Sequence, residues 1–199
     1  VDIDLFVNQH TGEFMPLVPG YVNLLPEVSE YSSIERPIKD IVLEGHIGIA
    51  CRRLLAKIKH KLYLKSSKTA NTAHDASIFQ YVANAVSGCL PSLEYLGVYD
   101  LAISFLHPHN IVLEKVKAKK KICWIHTDYS TISINHNLEL PVWDGYDYVA
   151  SISEECTKAF IATFPELKNK IVQIENILSA TFIRKQAEIE GGYSDMQHT

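Results

Sequence analysis

The sequence predicts an α/β fold in which a mainly parallel sheet carries helices on both faces. Short β-rich runs alternate with longer stretches of helical periodicity, which is the pattern of βαβ units. With 199 residues, 47% of them hydrophobic and 21% charged, the chain has the size and composition of one well-cored domain. Six strands are predicted, at 1–7, 21–25, 99–105, 121–126, 147–153 and 170–175.

A helix at 153–164 is predicted between the last two of these strands. Its start is marked by capping residues, either Ser153 alone or Ser151 together with Glu154. It ends before Pro165, as helices do when a proline follows. This segment is therefore expected to form the crossover of a βαβ unit.

Residues 36–65 show the longest helical pattern. One stripe is apolar at the 3.6-residue period and the opposite face is basic; the stripe consists of Ile47, Cys51, Leu54, Leu55, Ile58 and Leu62. Residues 46–68 hold seven bases and no acid, whereas residues 1–45 hold eight acids and two bases. The basic helix 46–65 is interpreted either as a packed surface helix or as a contact with anionic lipid. The residues of that contact would be Arg52, Arg53, Lys57 and Lys61.

Composition and missing motifs exclude several classes of function. A net charge of -4 and a pI near 6.1 argue against nucleic-acid binding. The four cysteines are far apart, which suits buried thiols in a reducing compartment and gives no zinc-binding pattern. The sequence has no GxGxxG, GxxxxGK[ST], GxSxG or HExxH motif, no apolar run long enough to cross a bilayer and no signal peptide. A cytoplasmic protein is expected.

Polar side chains follow two neighbouring predicted strands, at the point where each strand ends. In an open parallel sheet, ligands bind beyond the carboxyl ends of the strands. These ends therefore predict a binding site, whose candidate residues are His107, His109, His126, Thr127, Asp128 and Tyr129.

Most of these residues also have a purely structural interpretation. His126 can cap the strand, and Thr127 and Asp128 can cap a following helix. His107 and His109 flank a proline in a turn. The residues alone leave both interpretations open.

Two stretches of the chain resemble a known family. They are "YDLAISFLHPHNIVLEKVKAKKKICWIHTDYS" and "YDYVASISEECTKAFIATFPELKNKIVQIENIL", and they closely resemble the amino-terminal domain of bacterial GT-B glycosyltransferases of family 4. The resemblance covers about residues 95–190 strongly and the start of the chain more loosely. It rests on a combination: the Y-D strand, the "WIHTDY" strand end, the "SISEEC" turn, and "FPEL" followed by "IENI".

The resemblance implies a retaining enzyme of surface polysaccharide synthesis with two Rossmann-like domains facing each other across a cleft. Residues 1–180 would form the acceptor-binding domain and residues 181–199 an interdomain linker or tail. An acceptor hydroxyl would attack the anomeric carbon of a UDP- or GDP-linked sugar with retention of configuration. The nucleotide-sugar donor would bind the other domain, and no metal or cofactor is implied.

The resemblance also implies roles for the strand-end residues. His126 matches a strand-end histidine that helps to position the donor sugar, which makes it the implied catalytic residue. Thr127, Asp128 and Tyr129 would line the acceptor side. Together with His107 and His109, they are the expected contacts to a sugar or lipid-linked acceptor.

The sequence departs from the family in two places. The family's first strand and the Gly-rich turn after it are expected before Val1, and the donor domain is expected after "ENILSATFIRKQAEIEGG". The chain is therefore expected to be an acceptor half that is inactive alone, because transfer requires both substrates in one site. A parallel sheet without that strand would leave backbone groups unpaired.

Two other functions compete with this interpretation. One is a non-catalytic α/β binding or membrane-docking module that uses the basic helix 46–65, at the inner face of the membrane. The other is a flavodoxin-like regulatory domain, which the lack of an acidic cluster at the clearest strand ends disfavours.

Overall fold

The predicted fold class, α/β with parallel sheets, is confirmed. The computed structural model describes residues 1–66, 74–177 and 179–188. Its strands are β1 Asp4–Leu5, β2 Asn23–Leu24, β3 Val98–Ser104, β4 Lys117–Ile125, β5 Tyr148–Ser151 and β6 Ile171–Gln173. Its helices are α1 Ser29–Ser32, α2 Ile38–Leu43, α3 Ile47–Ser66, α4 Ser77–Ser87, α5 Asn110–Lys115, α6 His136–Asp144, α7 Glu154–Thr163 and α8 Ala180–Ala187.

The strands form two parallel sheets. β1 pairs with β2, and the four-stranded sheet has the order β3-β4-β5-β6. Between the two sheets, the Tyr99 hydroxyl donates a hydrogen bond of 2.5 Å to Asp4 Oδ2. Within the described residues β3 pairs only with β4, so one edge of the larger sheet keeps unpaired backbone groups.

One face of the four-stranded sheet is covered by helices. Successive parallel strands joined by right-handed crossovers place their connecting helices on the same side. On that side the strands contribute Cys123, Ile125 and Val149 to a core cluster with α6, α7 and the turns that follow them. Its other members are Trp143, Tyr146, Phe160, Phe164 and Leu167. The cluster fixes the sheet on its helices.

The other face of this sheet is exposed along β3. Along β3, Ala102 and Ser104 are buried, whereas Leu101 and Ile103, which point the other way, are 45% and 47% exposed. Phe105, just beyond the strand, is 52% exposed on the same side. This uncovered apolar face leads directly to the carboxyl ends of the strands.

A second core cluster joins the helices of the first half of the chain. Its buried members are Tyr31, Ile34, Ile41, Ile49, Ala50, Val86, Leu90, Leu93 and Ile111. Tyr31 anchors it, because its hydroxyl donates to the carbonyl of Pro91 at 2.6 Å. α3 packs on α2 and α4 within this cluster.

The single helical pattern at 36–65 is divided into two helices, which corrects the sequence prediction. The break falls at Gly45, whose φ of +90° is a left-handed conformation that favours glycine. The His46 amide then donates back to the Ile41 carbonyl at 2.8 Å and closes the end of α2. α3 then starts at Ile47.

The start of α7 and the predicted linker after residue 180 are the next two features. Ser153 alone caps α7, because its hydroxyl accepts a hydrogen bond of 3.2 Å from the Cys156 amide. In the predicted linker, α8 occupies Ala180–Ala187. The predicted tail over 189–199 lies outside the described residues.

Candidate functional site

The candidate site lies at the carboxyl ends of β3 and β4. Ser104 pairs with Cys123 in the parallel register, so the residues that follow both strands start from the same edge of the sheet. Phe105 to His109 extend from β3, and His126 to Tyr129 extend from β4. The predicted convergence of these two segments is therefore observed.

Phe105, Trp124 and His126 form an aromatic cluster at this edge. Trp124 and His126 are two residues apart and therefore share one face of the β4 backbone. The Phe105 ring centroid lies 5.5 Å from that of Trp124 and 4.4 Å from that of His126. The exposed Phe105 side chain therefore packs on both rings.

Two polar atoms in this cluster lack partners. Trp124 Nε1 and His126 Nε2 are buried, and neither has a hydrogen-bond partner among the described residues. Buried polar atoms are nearly always paired, because an unmade hydrogen bond costs about 1–3 kcal/mol. A ligand that bonded both atoms would remove that cost.

His109 is part of the protein core and does not face the site. It is only 5% exposed, its Nδ1 lies 2.8 Å from Ser104 Oγ, and its ring centroid is 4.6 Å from that of Trp143. Burial, with smaller effects from His107 and His126, lowers the pKa of His109 to about 3. His109 is therefore a neutral core side chain, and its burial disfavours the predicted acceptor contact.

His107 and Thr127 lie at the surface of the same edge. Both side chains are exposed, and the His107 ring is edge-on to Phe79 at 6.2 Å between centroids. Both residues are accessible to an acceptor, and packing around the His107 ring lowers its pKa to about 4, which keeps that imidazole neutral.

Asp128 shapes the turn after β4. Its Oδ1 accepts hydrogen bonds from the Ser130 amide at 2.9 Å and the Ser130 hydroxyl at 2.7 Å, and these bonds lower the pKa of Asp128. The predicted alternative of helix capping is replaced by a local turn, because the next helix, α6, begins only at His136. The Asp128 carboxylate is nevertheless exposed and ionised at the site.

Tyr129 points into the core rather than into the site. Its ring centroid lies 5.1 Å from that of Phe160 and 5.7 Å from that of Phe164. Its hydroxyl donates to Glu139 Oε2 at 3.3 Å, and Trp143 Nε1 donates to the same oxygen at 3.4 Å. Tyr129 therefore holds the strand end in place, and this orientation disfavours its predicted acceptor contact.

Glu139 is a buried carboxyl that the sequence analysis missed. It is 6% exposed, and burial raises its pKa to about 7, with the hydrogen bonds from Trp143 and Tyr129 opposing the rise. The available signal was an acid between Leu138 and Leu140 in a helix. The sequence analysis also missed Trp124 and Phe105, whose signal was aromatic side chains at the end of an exposed strand face.

A serine, a histidine and an aspartate also meet away from this edge. His60 Nε2 lies 2.6 Å from Asp75 Oδ2, and Ser77 Oγ donates to Asp75 Oδ1 at 2.7 Å. The aspartate lies between the other two, so the histidine does not contact the serine as a general base would. Since Ser77 is also fully buried, this group stabilises the start of α4.

A cavity of about 330 Å³ lies among α4, α5 and α6. Three of its polar lining residues bond one another: Asn110 Nδ2 donates to Asn84 Oδ1 at 3.0 Å and to Glu114 Oε1 at 2.9 Å. Gln80 Nε2 donates to Asn110 Oδ1 at 2.8 Å. These side chains already bond one another. We call the aromatic cluster of Phe105, Trp124 and His126 the strand-end cluster; it is the stronger candidate, because two of its buried nitrogens have no partner among the described residues.

The predicted lipid-contact residues divide into two groups. Arg52, Lys57 and Lys61 are exposed on α3. Arg53 is 9% exposed, and its Nη1 donates to the carbonyls of Ser33 at 2.9 Å and Arg36 at 2.5 Å. A membrane contact through Arg53 is incompatible with this burial, which corrects that prediction.

Neither a metal site nor a membrane-spanning helix is found among the described residues. In the described ranges, no group of three or more His, Cys, Asp or Glu side chains is placed to hold a metal ion. Among the same residues, no helix is both long enough and apolar enough to cross a bilayer.

Comparisons of the chain with protein-family models, with curated proteins and with solved structures find no match. The resemblance to glycosyltransferases therefore rests on the sequence motifs alone. The structural support for a function comes from the geometry of the strand-end cluster.

Proposed function

We propose that this chain is the acceptor-binding half of a retaining glycosyltransferase, with the sugar or lipid-linked acceptor bound at the carboxyl ends of β3 and β4. The observation that carries the proposal is the pair of unpartnered atoms, Trp124 Nε1 and His126 Nε2, beside the Phe105 ring. The ring supplies an apolar surface, and the two nitrogens supply directional hydrogen bonding.

A polyhydroxyl ligand suits this pair. Trp124 Nε1–H is a donor only, whereas His126 Nε2 donates or accepts according to its tautomer. Sugar hydroxyls both donate and accept, so neighbouring hydroxyls of one ring can bond both nitrogens. Such bonds would remove the cost of the two unpaired atoms, and the Phe105 ring would pack on the C–H face of the sugar.

In this proposal the residues have separate roles. His126 positions the reacting sugar, Thr127 and His107 contact the acceptor from the exposed edge, and Asp128 adds an ionised carboxylate that accepts hydroxyl hydrogen bonds. Sugar transfer would in addition require the domain that holds the nucleotide sugar, because the reacting atoms have to meet in one cleft.

The indole N–H signals of the two tryptophans test the proposed contact. Titration of the ¹⁵N-labelled chain with methyl glycosides of glucose, galactose, mannose and N-acetylglucosamine is expected to shift the Trp124 signal, assigned by its loss in Trp124→Phe. Trp143 provides the internal control, since its N–H already donates to Glu139. Equal shifts of both signals, or no shift with any of the four, would count against acceptor binding at this edge.

A further inference from the structure

The apolar stripe of α3 faces solvent. Its five large members are between 49% and 60% exposed, and Cys51 between them is exposed as well. We call this surface the α3 stripe; it consists of Ile47, Cys51, Leu54, Leu55, Ile58 and Leu62. Contiguous apolar surface of this kind, rimmed by polar residues, marks a site of interaction.

Packing of the opposite side fixes the helix in this orientation. Ile49, Ala50, Arg53 and Ala56 are the buried residues of α3, and the small alanines allow close contact with neighbouring helices. Turning the stripe inward would carry Arg53 away from the carbonyls that its guanidinium bonds. The stripe is therefore a stable outward face of the folded domain.

Cations border the α3 stripe on both sides. At about 100° per residue, Lys57 and Lys61 fall along one border, Arg52 and Lys59 along the other, and Lys65 at the carboxyl end. All five are exposed, and residues 46–66 contain no acid. Long basic side chains beside an apolar strip can extend their charges to the headgroups while the strip inserts.

We propose that α3 is an interfacial helix that binds an anionic lipid bilayer, with the α3 stripe inserted among the acyl chains and the bordering cations paired with lipid headgroups. The inference rests only on the surface of α3 and holds whether or not the chain binds a sugar. A helix of 20 residues is about 30 Å long at 1.5 Å per residue, and it lies flat on the bilayer in this arrangement.

The charge pattern favours lipid over a second copy of the chain. Two copies that paired through the α3 stripe would bring two cationic borders together without any acid of α3 between them. An anionic bilayer instead complements the stripe and both borders at once.

Vesicle sedimentation tests this proposal. We expect the wild-type chain to bind vesicles of phosphatidylcholine with about one-third phosphatidylglycerol at least tenfold more tightly than pure phosphatidylcholine vesicles. Lys57→Glu/Lys61→Glu is expected to lose at least tenfold in affinity for the anionic vesicles. Leu55→Ser/Ile58→Ser is expected to lose as much while leaving the melting temperature unchanged, because both side chains are exposed.

The charge-matched control is Lys168→Glu/Lys185→Glu, which reverses two exposed cations outside α3 and is expected to bind the anionic vesicles as the wild type does. Equal loss in this control, or no preference of the wild type for anionic vesicles, would overturn the proposal. So would a dimer in solution that Leu55→Ser/Ile58→Ser dissociates, since a second copy would then cover the stripe.

An environment-sensitive fluorophore on Cys51 reports insertion directly. In a Cys89→Ser/Cys156→Ser background it is the accessible thiol, because Cys123 is buried. A blue shift on adding anionic vesicles is expected if the α3 stripe inserts. Vesicle binding without any shift would overturn insertion of the stripe.

Discussion

Replacing His126 by alanine is expected to lower the rate of sugar transfer at least about 100-fold, which corresponds to ~2.7 kcal/mol of lost transition-state stabilisation. His126 lies at the end of β4, and its Nε2 has no other partner among the described residues. Because the proposed bond positions the reacting sugar, kcat should fall more than KM rises. Initial rates with labelled UDP- and GDP-sugars, in protein expressed from the full reading frame, measure the effect.

The control for this prediction is His46→Ala, which removes a half-buried histidine between α2 and α3. It should transfer sugar as the wild type does. An equal loss in both variants, or full activity in His126→Ala, would contradict the role of His126. Matching melting temperatures for the three proteins would exclude unfolding as the cause of a loss.

The free energy of unfolding of Glu139→Gln, relative to that of the wild type, is expected to rise by about 3 kcal/mol from pH 4 to pH 8. Burial raises the pKa of Glu139 to about 7 from 4.5. Between these values the folded protein holds a proton that the unfolded chain has lost, so wild-type stability falls as pH rises from 4.5 to 7 and levels off above 7. The window of 2.5 units, at 1.36 kcal/mol per unit, sets the size of about 3 kcal/mol.

Glutamine can still accept the hydrogen bonds from Tyr129 and Trp143, but it does not titrate. The variant should therefore gain stability relative to the wild type as pH rises, in urea unfolding followed by tryptophan fluorescence. Glu13→Gln removes an exposed carboxylate and serves as the control. A constant difference between Glu139→Gln and wild type from pH 4 to pH 8 would show that Glu139 is not buried as described.

His109 acts on stability in the opposite direction. Its folded pKa of about 3 lies below the ordinary value of 6.5, so the unfolded chain binds a proton first and stability falls as pH drops below 6.5. Glu139 and His109 therefore oppose each other between about pH 4.5 and 6.5. Comparing Glu139→Gln with the wild type cancels the contribution of His109.

The strands of the sheet could be predicted because their signals are local. β-Rich runs that end in polar residues mark β3 and β4, and all six predicted strands appear in the structure. The proline after 153–164 and the serine before it likewise marked α7. Parallel pairing then followed from the alternation of strands with helices.

The orientation of α3 could not be predicted from periodicity. An apolar stripe shows that a helix has two unlike sides, but it does not show which side the rest of the chain covers. The buried side of α3 uses Ala50, Ala56 and an arginine, and this choice depends on partners distant in sequence, such as the carbonyl of Ser33. The left-handed Gly45 had a visible signal, since glycine is the usual residue at such a helix end.

The position of the candidate site could be predicted from the sequence, but only some of its residues could. Strand ends located the edge, because parallel strands bring their carboxyl ends together. Whether a histidine or tyrosine turns outward depends on packing with α6 and α7, which buries His109, half-buries Tyr129 and leaves His107 and Thr127 exposed. Glu139 belongs to another element, so local sequence could not link it to Tyr129.

The most direct test of the glycosyltransferase proposal is transfer of labelled sugar by wild-type protein expressed from the full reading frame, with the 199-residue chain alone in parallel. UDP- and GDP-linked glucose, galactose, mannose and N-acetylglucosamine serve as donors, with the corresponding glycosides and lipid-linked sugars as acceptors. We predict transfer to an acceptor by the longer protein and none by the chain alone. A longer protein that neither binds nor consumes any of these nucleotide sugars would contradict the proposal.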